Sequence, residues 1–446
     1  MPTNVALTGL AKDLAVRAES GKPIRIGLVG AGEMGTDIVS RVAHMQGIEI
    51  GVISELRPGA AAKSVDLAYG AGAGRAVEVT SADRANAAME RHQIALTNHV
   101  SVLLDAGLVD VVVDATGIPS VGAEIGLSAM ERGKHLVMMN VEADVTIGAY
   151  LRSEANRLGV VYSLGAGDEP SSCMELVEFV SAMGHRIVSA GKGKNNPLNV
   201  DATPDLYEAE ARQRNMNPRM LVEFVDGSKT MVEMGALANA TGLVPDKPGM
   251  HGPSATREEL NKVLVPHSAG GVLSGDQGCV DYTIGKGVAP GVFVVAEMDH
   301  PRVRERMEDL KMGDGPYFTF FRPYHLTSLE VPLTCARAVL YGKPDMVPLP
   351  RPVAEVCAVA KKDLKPGDIL DQIGEYTYRA WLMVASHARS QNGIPCGMLA
   401  GARVTSPIKK GELITRHNAR VAPNSSIAAL RERQDAMLGV FAEERA

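Results

Sequence analysis

Apolar residues fall into two textures along this chain. In the first 165 positions, short apolar runs alternate with stretches of helical period. The runs lie at residues 24–29, 48–54, 94–97, 109–114, 135–139 and 160–164. Runs that are apolar throughout, rather than every second residue, predict parallel strands covered on both faces. The stretches between them predict helices, among them residues 100–107, 121–132 and 147–157, with Met34, Ile38, Val39 and Val42 marking a helical face after the first run. Residues 56–92 are rich in Gly and Ala and read as an insertion with helical pieces. Residues 4–18 read as an amphipathic helix with Leu7, Leu10, Ala11 and Leu14 on one face, docked on the protein.

The alternation breaks near residue 165. Gly165-Ala-Gly-Asp-Glu-Pro-Ser-Ser172 leads into a helix predicted over 174–183, with good helix-start chemistry at Pro170, Ser171 and Ser172. A strand at 185–190 follows, then the turn Gly191-Lys-Gly-Lys-Asn-Asn-Pro197. Residues 204–242 read as mostly helical, 278–298 and 316–324 as strands, and 331–340 as a helix. A Pro-rich linker spans 343–352. Beyond it two related segments, Val359-Ala-Lys-Lys-Asp-Leu-Lys-Pro-Gly-Asp-Ile-Leu370 and Val404-Thr-Ser-Pro-Ile-Lys-Lys-Gly-Glu-Leu-Ile414, suggest a small β-rich domain with an internal repeat. The expected class is α/β: a dinucleotide-binding domain over 1–165, an α+β catalytic and dimerisation domain over 166–345, and a β-rich domain over 346–446.

Composition narrows the possibilities. A chain of 446 residues is long enough for two or three domains. With 45% hydrophobic and 22% charged residues, a net charge of −6 and 4% aromatics, it carries neither the basic field nor the stacking platform that nucleic acid requires. No apolar run reaches membrane-spanning length. Cys173, Cys279, Cys335, Cys357 and Cys396 are scattered and odd in number, which fits a reducing cytoplasm rather than a disulfide framework or a zinc site.

The strongest chemical signal is Gly30-Ala-Gly32-Glu-Met-Gly35 between the first strand and the first long helix. That is the dinucleotide fingerprint in its proper place. Gly30 makes the turn, Gly32 lets a pyrophosphate approach, and Gly35 lets the helix pack on the strand. Glu33 and Met34 lie inside the same loop and helix start. At the ends of later strands Thr116, Gly117, Asn140 and Glu142 fall where a nicotinamide cofactor passes, although each also suits plain turn chemistry. Coenzyme choice is open on the residues alone. Glu55 would bind a ribose 2′-hydroxyl and favour NAD, whereas Ser54 and Arg57 would accommodate a 2′-phosphate.

On these segments a family resemblance becomes specific. The N-terminal half resembles the homoserine dehydrogenase-type Rossmann proteins. The C-terminal repeat resembles a SAF (β-clip) domain. The combination, carried by the fingerprint, Gly167-Asp-Glu-Pro170, Gly191-Lys-Gly-Lys-Asn-Asn196 and the repeat, resembles the 1-deoxy-D-xylulose 5-phosphate reductoisomerase-like (DRL) proteins over essentially the whole chain. The resemblance implies an NADPH-dependent, fosmidomycin-sensitive conversion of 1-deoxy-D-xylulose 5-phosphate to 2-C-methyl-D-erythritol 4-phosphate in isoprenoid precursor synthesis, by a cytoplasmic homodimer. It decides the coenzyme as NADP(H). A sugar-acid dehydrogenase or oxidoisomerase is the neighbouring reading, and a non-catalytic ligand sensor the distant one.

Such a reaction needs a held phosphate, a polarised hydroxyketone, proton transfer and a hydride. Lys192 and Lys194, alternate positions after a strand, can converge on one anion, with Asn195 and Asn196 as neutral donors; a solvated basic turn is the plain alternative. Arg322 and His325, in Phe320-Phe-Arg-Pro-Tyr-His325, suit phosphate recognition and proton relay, or an ordinary surface role. Asp168 and Glu169 could hold Mg²⁺ or Mn²⁺, or serve as helix caps. The reductoisomerases proper carry an Asp-x-Glu motif that Asp-Glu-Pro-Ser-Ser only partly echoes, so capping is the better supported role. Lys361, Lys362, Lys409 and Lys410 read as solvated turn charges.

Overall fold

Both faces of the first apolar run are buried, and a parallel sheet is built outward from it. The computed structural model describes residues 5–195 and 197–440. Seven strands, β1 (Ile24–Val29), β2 (Ile48–Ser54), β3 (Ala76–Glu78), β4 (Ile94–Thr97), β5 (Val111–Asp114), β6 (His135–Met138) and β7 (Tyr162–Leu164), form one sheet in the order β3-β4-β2-β1-β5-β6-β7. Every pairing in it is parallel. The helix α1 (Gly9–Glu19) precedes β1, and the connections are α2 (Glu33–Val42), α3 (Ala60–Tyr69), α4 (Ala82–Glu90), α5 (Val100–Asp105), α6 (Pro119–Glu131) and α7 (Val141–Leu158). On one face Ile24, Ile26 and Leu28 pack with Ile38, Val39 and Val42 of α2. On the other, Val29, Val52 and Val112 pack with Ala85, Ala88 and Met89 of α4. Burying both faces is what makes each strand read as a continuous apolar run.

Three expectations shift here. The first helix begins at Gly9, later than the amphipathic pattern suggests, and keeps Leu14 buried; residue 4 lies outside the described residues. The stretch over 56–92 is not an insertion beside the sheet, since it supplies α3, α4 and the edge strand β3. The helix expected at 147 is preceded by a further helical piece from Val141, where the Asn140 side chain accepts the Ala143 N–H at 3.2 Å and caps it, and the two pieces join across a kink at Ile147.

The chain divides into two compact units. The first runs through Asp144 and adds Tyr150–Asp168 and Leu326–Val347, which includes the helix Val331–Tyr341. The second comprises Val145–Ala149, Glu169–His325 and the chain from Pro348 onward.

In the second unit β8 (Arg186–Gly193), β9 (Val244–Pro245), β10 (Cys279–Thr283), β11 (Val292–Glu297) and β12 (Tyr317–Arg322) form a mixed sheet in the order β12-β11-β8-β10-β9. The helices α8 (Glu169–Ala182), α9 (Pro204–Gln213), α10 (Pro218–Val225) and α11 (Ser228–Thr241) belong to it. Residues of α11 are buried from Ser228 to Asn239, so this helix is covered on all sides. After residue 350, β13 (Ala354–Ala360) and β14 (Tyr378–Val384) pair antiparallel. The two repeat segments bridge each other at Val359–Leu413 and Leu364–Ile408.

Lys361 corrects the expectation of a solvated charge. It is buried, and its Nζ lies 2.6 Å from Asp226 Oδ2 and donates to the carbonyls of Ala202 and Glu375. Lys409 and Lys410 are exposed and pair with Asp363 and Asp201, as turn charges do. All five cysteines are buried, and none forms a disulfide among the described residues. Among the described residues no helix is long and apolar enough to cross a membrane.

Candidate functional sites

The fingerprint turn in the first unit has the geometry that a pyrophosphate needs. Gly30 lies at φ +96°, and a Cβ on Gly35 would stand 2.1 Å from the Gly30 carbonyl oxygen, so α2 can press against the turn only with glycine there. A Cβ on Gly32 would meet nothing nearer than Arg57 at 3.7 Å, which leaves the backbone approachable at the N-terminus of α2. Met34 packs on the core and Glu33 is exposed in the first turn of α2.

The end of β2 is tied to this turn. Ser54 is buried and its carbonyl accepts the Gly30 N–H at 2.9 Å. Glu55 accepts the Ala31 N–H at 2.7 Å and receives the Arg57 guanidinium at 3.0 Å. Burial pushes the Glu55 carboxyl up, but Arg57 and the backbone N–H groups of Arg57 and Ala31 outweigh it and hold the pKa at about 2. The acidic residue is thus ionised and committed, while Arg57 stays largely exposed beside it. At the end of β5, Thr116 donates its N–H to Asp114 at 3.1 Å and Gly117 takes φ +65°. Asn140 is buried as the α7 cap, and Glu142 follows in the first turn of that helix.

The second unit contains a cavity of about 200 Å³. Its walls include Glu169, Lys192, Lys194, Asn195, Arg214 and His325. β8 runs three residues further than the apolar pattern suggests and carries Lys192 within it. A Cβ on Gly191 would stand 1.6 Å from the Asp281 carbonyl oxygen and one on Gly193 2.0 Å from that of Val288. The glycines around Lys192 therefore permit close strand approach and do not form a solvated turn.

Both lysines are nearly buried, at 4% and 6% exposure, which overturns the solvated alternative. Lys192 Nζ lies 2.6 Å from Glu169 Oε1 on α8 and also bonds Glu233 on α11. Burial opposes its charge, but the two carboxylates raise its pKa well above the ordinary lysine range. Lys194 donates to the Phe224 carbonyl. Burial and then the neighbouring Lys192 charge push its pKa down to about 8. His325 Nε2 lies 3.4 Å from Glu169 Oε1.

Not every expected residue gathers here. Arg322, at the end of β12, pairs with Glu175 at 3.1 Å and stacks on Tyr324 at 4.6 Å instead of lining the cavity. Asp168 is buried and ends the Tyr150–Asp168 segment of the first unit. Glu169 lies in the first turn of α8, yet its carboxylate is spent on Lys192. Asn195 is exposed on the rim, and Asn196 lies outside the described residues. Two contributors went unpredicted. Glu233 and Arg214 fall in the stretch read only as helical, where a lone Glu four residues after Lys229 in an apolar helix was the available signal.

A parallel sheet with this fingerprint turn and a polar cavity on a second unit defines an NAD(P)-dependent oxidoreductase. Residues 30–164 match the homoserine dehydrogenase NAD-binding domain, and residues 167–331 match the family described as oxidoreductase DRL, catalytic domain. Similar solved structures include a probable dehydrogenase from Thermotoga maritima, 15% identical over 72% of this chain and 90% of that one, with a TM-score of 0.40. A scyllo-inositol dehydrogenase from Lactobacillus casei is 13% identical over 62% of this chain and 74% of that one, with a TM-score of 0.35. Biliverdin reductase from Synechocystis sp. PCC 6803 is 16% identical, with a TM-score of 0.27; the match takes in 40% of this chain and only 49% of the reductase. No curated protein matches the chain.

Proposed function

We propose that this oxidoreductase converts 1-deoxy-D-xylulose 5-phosphate to 2-C-methyl-D-erythritol 4-phosphate, with NADPH and a proton consumed and NADP⁺ released. The observation that carries the reading is the cavity of the second unit. Lys192, Lys194 and Arg214 surround a space of about 200 Å³ together with Asn195 and His325, inside the stretch matching the DRL catalytic domain. Ammonium groups lining one cavity suit a small phosphorylated polyol. NADPH, when bound, supplies the hydride that reduces the rearranged aldehyde. Gly30, Gly32 and Gly35 receive its pyrophosphate, and Arg57 takes the 2′-phosphate beside the Glu55 carboxylate that it pairs. In the substrate cavity Lys192 and Lys194 hold and polarise the phospho-sugar, and His325 relays a proton through its contact with Glu169.

The chain is further read as a homodimer, and its C-terminal region as SAF-like; the mutual bridging of the two repeat segments supports the second of these. Arg and Lys pair carboxylate as readily as phosphate, so a sugar-acid oxidoreductase is the second reading. Purified protein with 1-deoxy-D-xylulose 5-phosphate and NADPH should consume NADPH and yield methylerythritol phosphate, and fosmidomycin should stop both. Absent turnover, with sugar acids oxidised instead, would hand the site to the second reading.

A further inference from the structure

A divalent cation that polarises a hydroxyketone is held by carboxylate oxygens around an accessible centre. Glu169 on α8 and Glu233 on α11 are oxygen donors of that kind, and they converge on one point. That point is filled from the strand between them. Lys192 Nζ sits 2.6 Å from Glu169 Oε1 and in contact with Glu233 Oε2, with Glu233 fully buried and Lys192 nearly so. The point between Glu169 and Glu233 therefore does not fit a resident metal ion, because the ion would have to displace the ammonium.

An ammonium has three N–H donors. Two are taken by the glutamates, and Lys192 lines the cavity, so the third is left for an oxygen of the bound substrate.

We infer that Lys192 is the resident cation of this cavity, and that its hydrogen bond to a substrate carbonyl oxygen takes the place of a divalent metal. Glu169 and Glu233 are positioning residues that fix the ammonium. The inference rests on the cavity being the substrate site, but its first test does not depend on which substrate is turned over.

Mn²⁺ titrated into the full-length protein, with the free ion followed by electron paramagnetic resonance, should show no stoichiometric uptake. Lys192→Ala, which leaves both carboxylates and empties the point between them, should take up one Mn²⁺ per chain at least about tenfold more tightly. Turnover of whichever substrate proves active should survive exhaustive chelation. One Mn²⁺ bound per wild-type chain and lost in Glu233→Gln would overturn the inference, even if Lys192→Ala fails to fold. Failure of 1-deoxy-D-xylulose 5-phosphate to react, with wild-type protein still ignoring Mn²⁺, would sink the proposed substrate and leave Lys192 in its role.

Discussion

The Glu55 carboxylate accepts the Ala31 backbone N–H at 2.7 Å, so the acidic residue after β2 also holds the fingerprint turn in place. A carboxylate used in this way, and ion-paired to Arg57 as well, is a poor partner for a ribose 2′-hydroxyl. On the proposed NADP(H) reading Arg57, largely exposed beside that carboxylate, meets the 2′-phosphate. Arg57→Leu should weaken NADPH by at least about tenfold while changing NADH little. Fluorescence titration of both coenzymes gives the ratio. An unchanged ratio would remove Arg57 from the coenzyme site.

Asp144 tests the core of the first unit. It is buried and accepts the Tyr162 hydroxyl at 2.6 Å, but burial dominates and raises its pKa to about 7. The sign follows from linkage. A carboxyl with a raised folded pKa favours the folded state below the unfolded value near 3.8, and that advantage is lost as pH rises through about 7. At pH 8 the wild type folds with a buried carboxylate at a cost of about 4 kcal/mol. Asp144→Asn keeps an acceptor for Tyr162 and removes the charge. Urea melts should show it more stable by ~2 kcal/mol or more at pH 8, and no more stable at pH 4. Equal gains at both values would mean that the carboxyl does not titrate in this range.

Local chemistry was legible where one short segment decides the outcome. The strand, glycine turn and helix around Gly30–Gly35 could be read directly, because the turn's requirements are written in consecutive residues. The parallel strands were legible because burial on both faces leaves no polar alternation. Lys192, Lys194 and His325, singled out on spacing and strand ends, line one cavity. What escaped depends on contacts between distant segments. Glu233 matters only because α11 brings it to Lys192, and helical period says nothing of that partner. β8 outruns its apolar residues because the carbonyls of Asp281 and Val288 close on Gly191 and Gly193. Arg322 sits at a strand end, as expected, but Glu175 claims it.

Lys194 should give the cavity a pH limit. Its pKa of about 8, set by burial and by Lys192, means that its charge is lost as pH rises through that value. Affinity for inorganic phosphate, measured by calorimetry, should fall across the same range. Lys194→Arg, which stays protonated, should flatten the profile. Lys194→Ala should lower kcat/KM by at least about thirtyfold, equivalent to ~2 kcal/mol, with NADPH affinity unchanged. A flat wild-type profile, or normal turnover in the alanine variant, would take Lys194 out of substrate binding.

The Lys361–Asp226 pair makes the last prediction, on stability rather than activity. Lys361, just after β13, reaches a carboxylate that follows α10 and carbonyls at residues 202 and 375, so it ties the repeat region to the helical segment within the second unit. Both side chains are buried, and burial raises the Asp226 pKa even with Lys361 beside it. Lys361→Met should therefore leave a buried carboxyl without its counter-charge and cost about 3–5 kcal/mol. Lys361→Met with Asp226→Asn should recover part of that loss, because the second change removes the stranded charge while Asn can still accept the Ser228 N–H that Asp226 now takes at 2.8 Å. Urea denaturation of the two single variants and the double variant closes the cycle. If the costs simply add, the pair is not coupled, and Lys361 is held by its carbonyl partners alone.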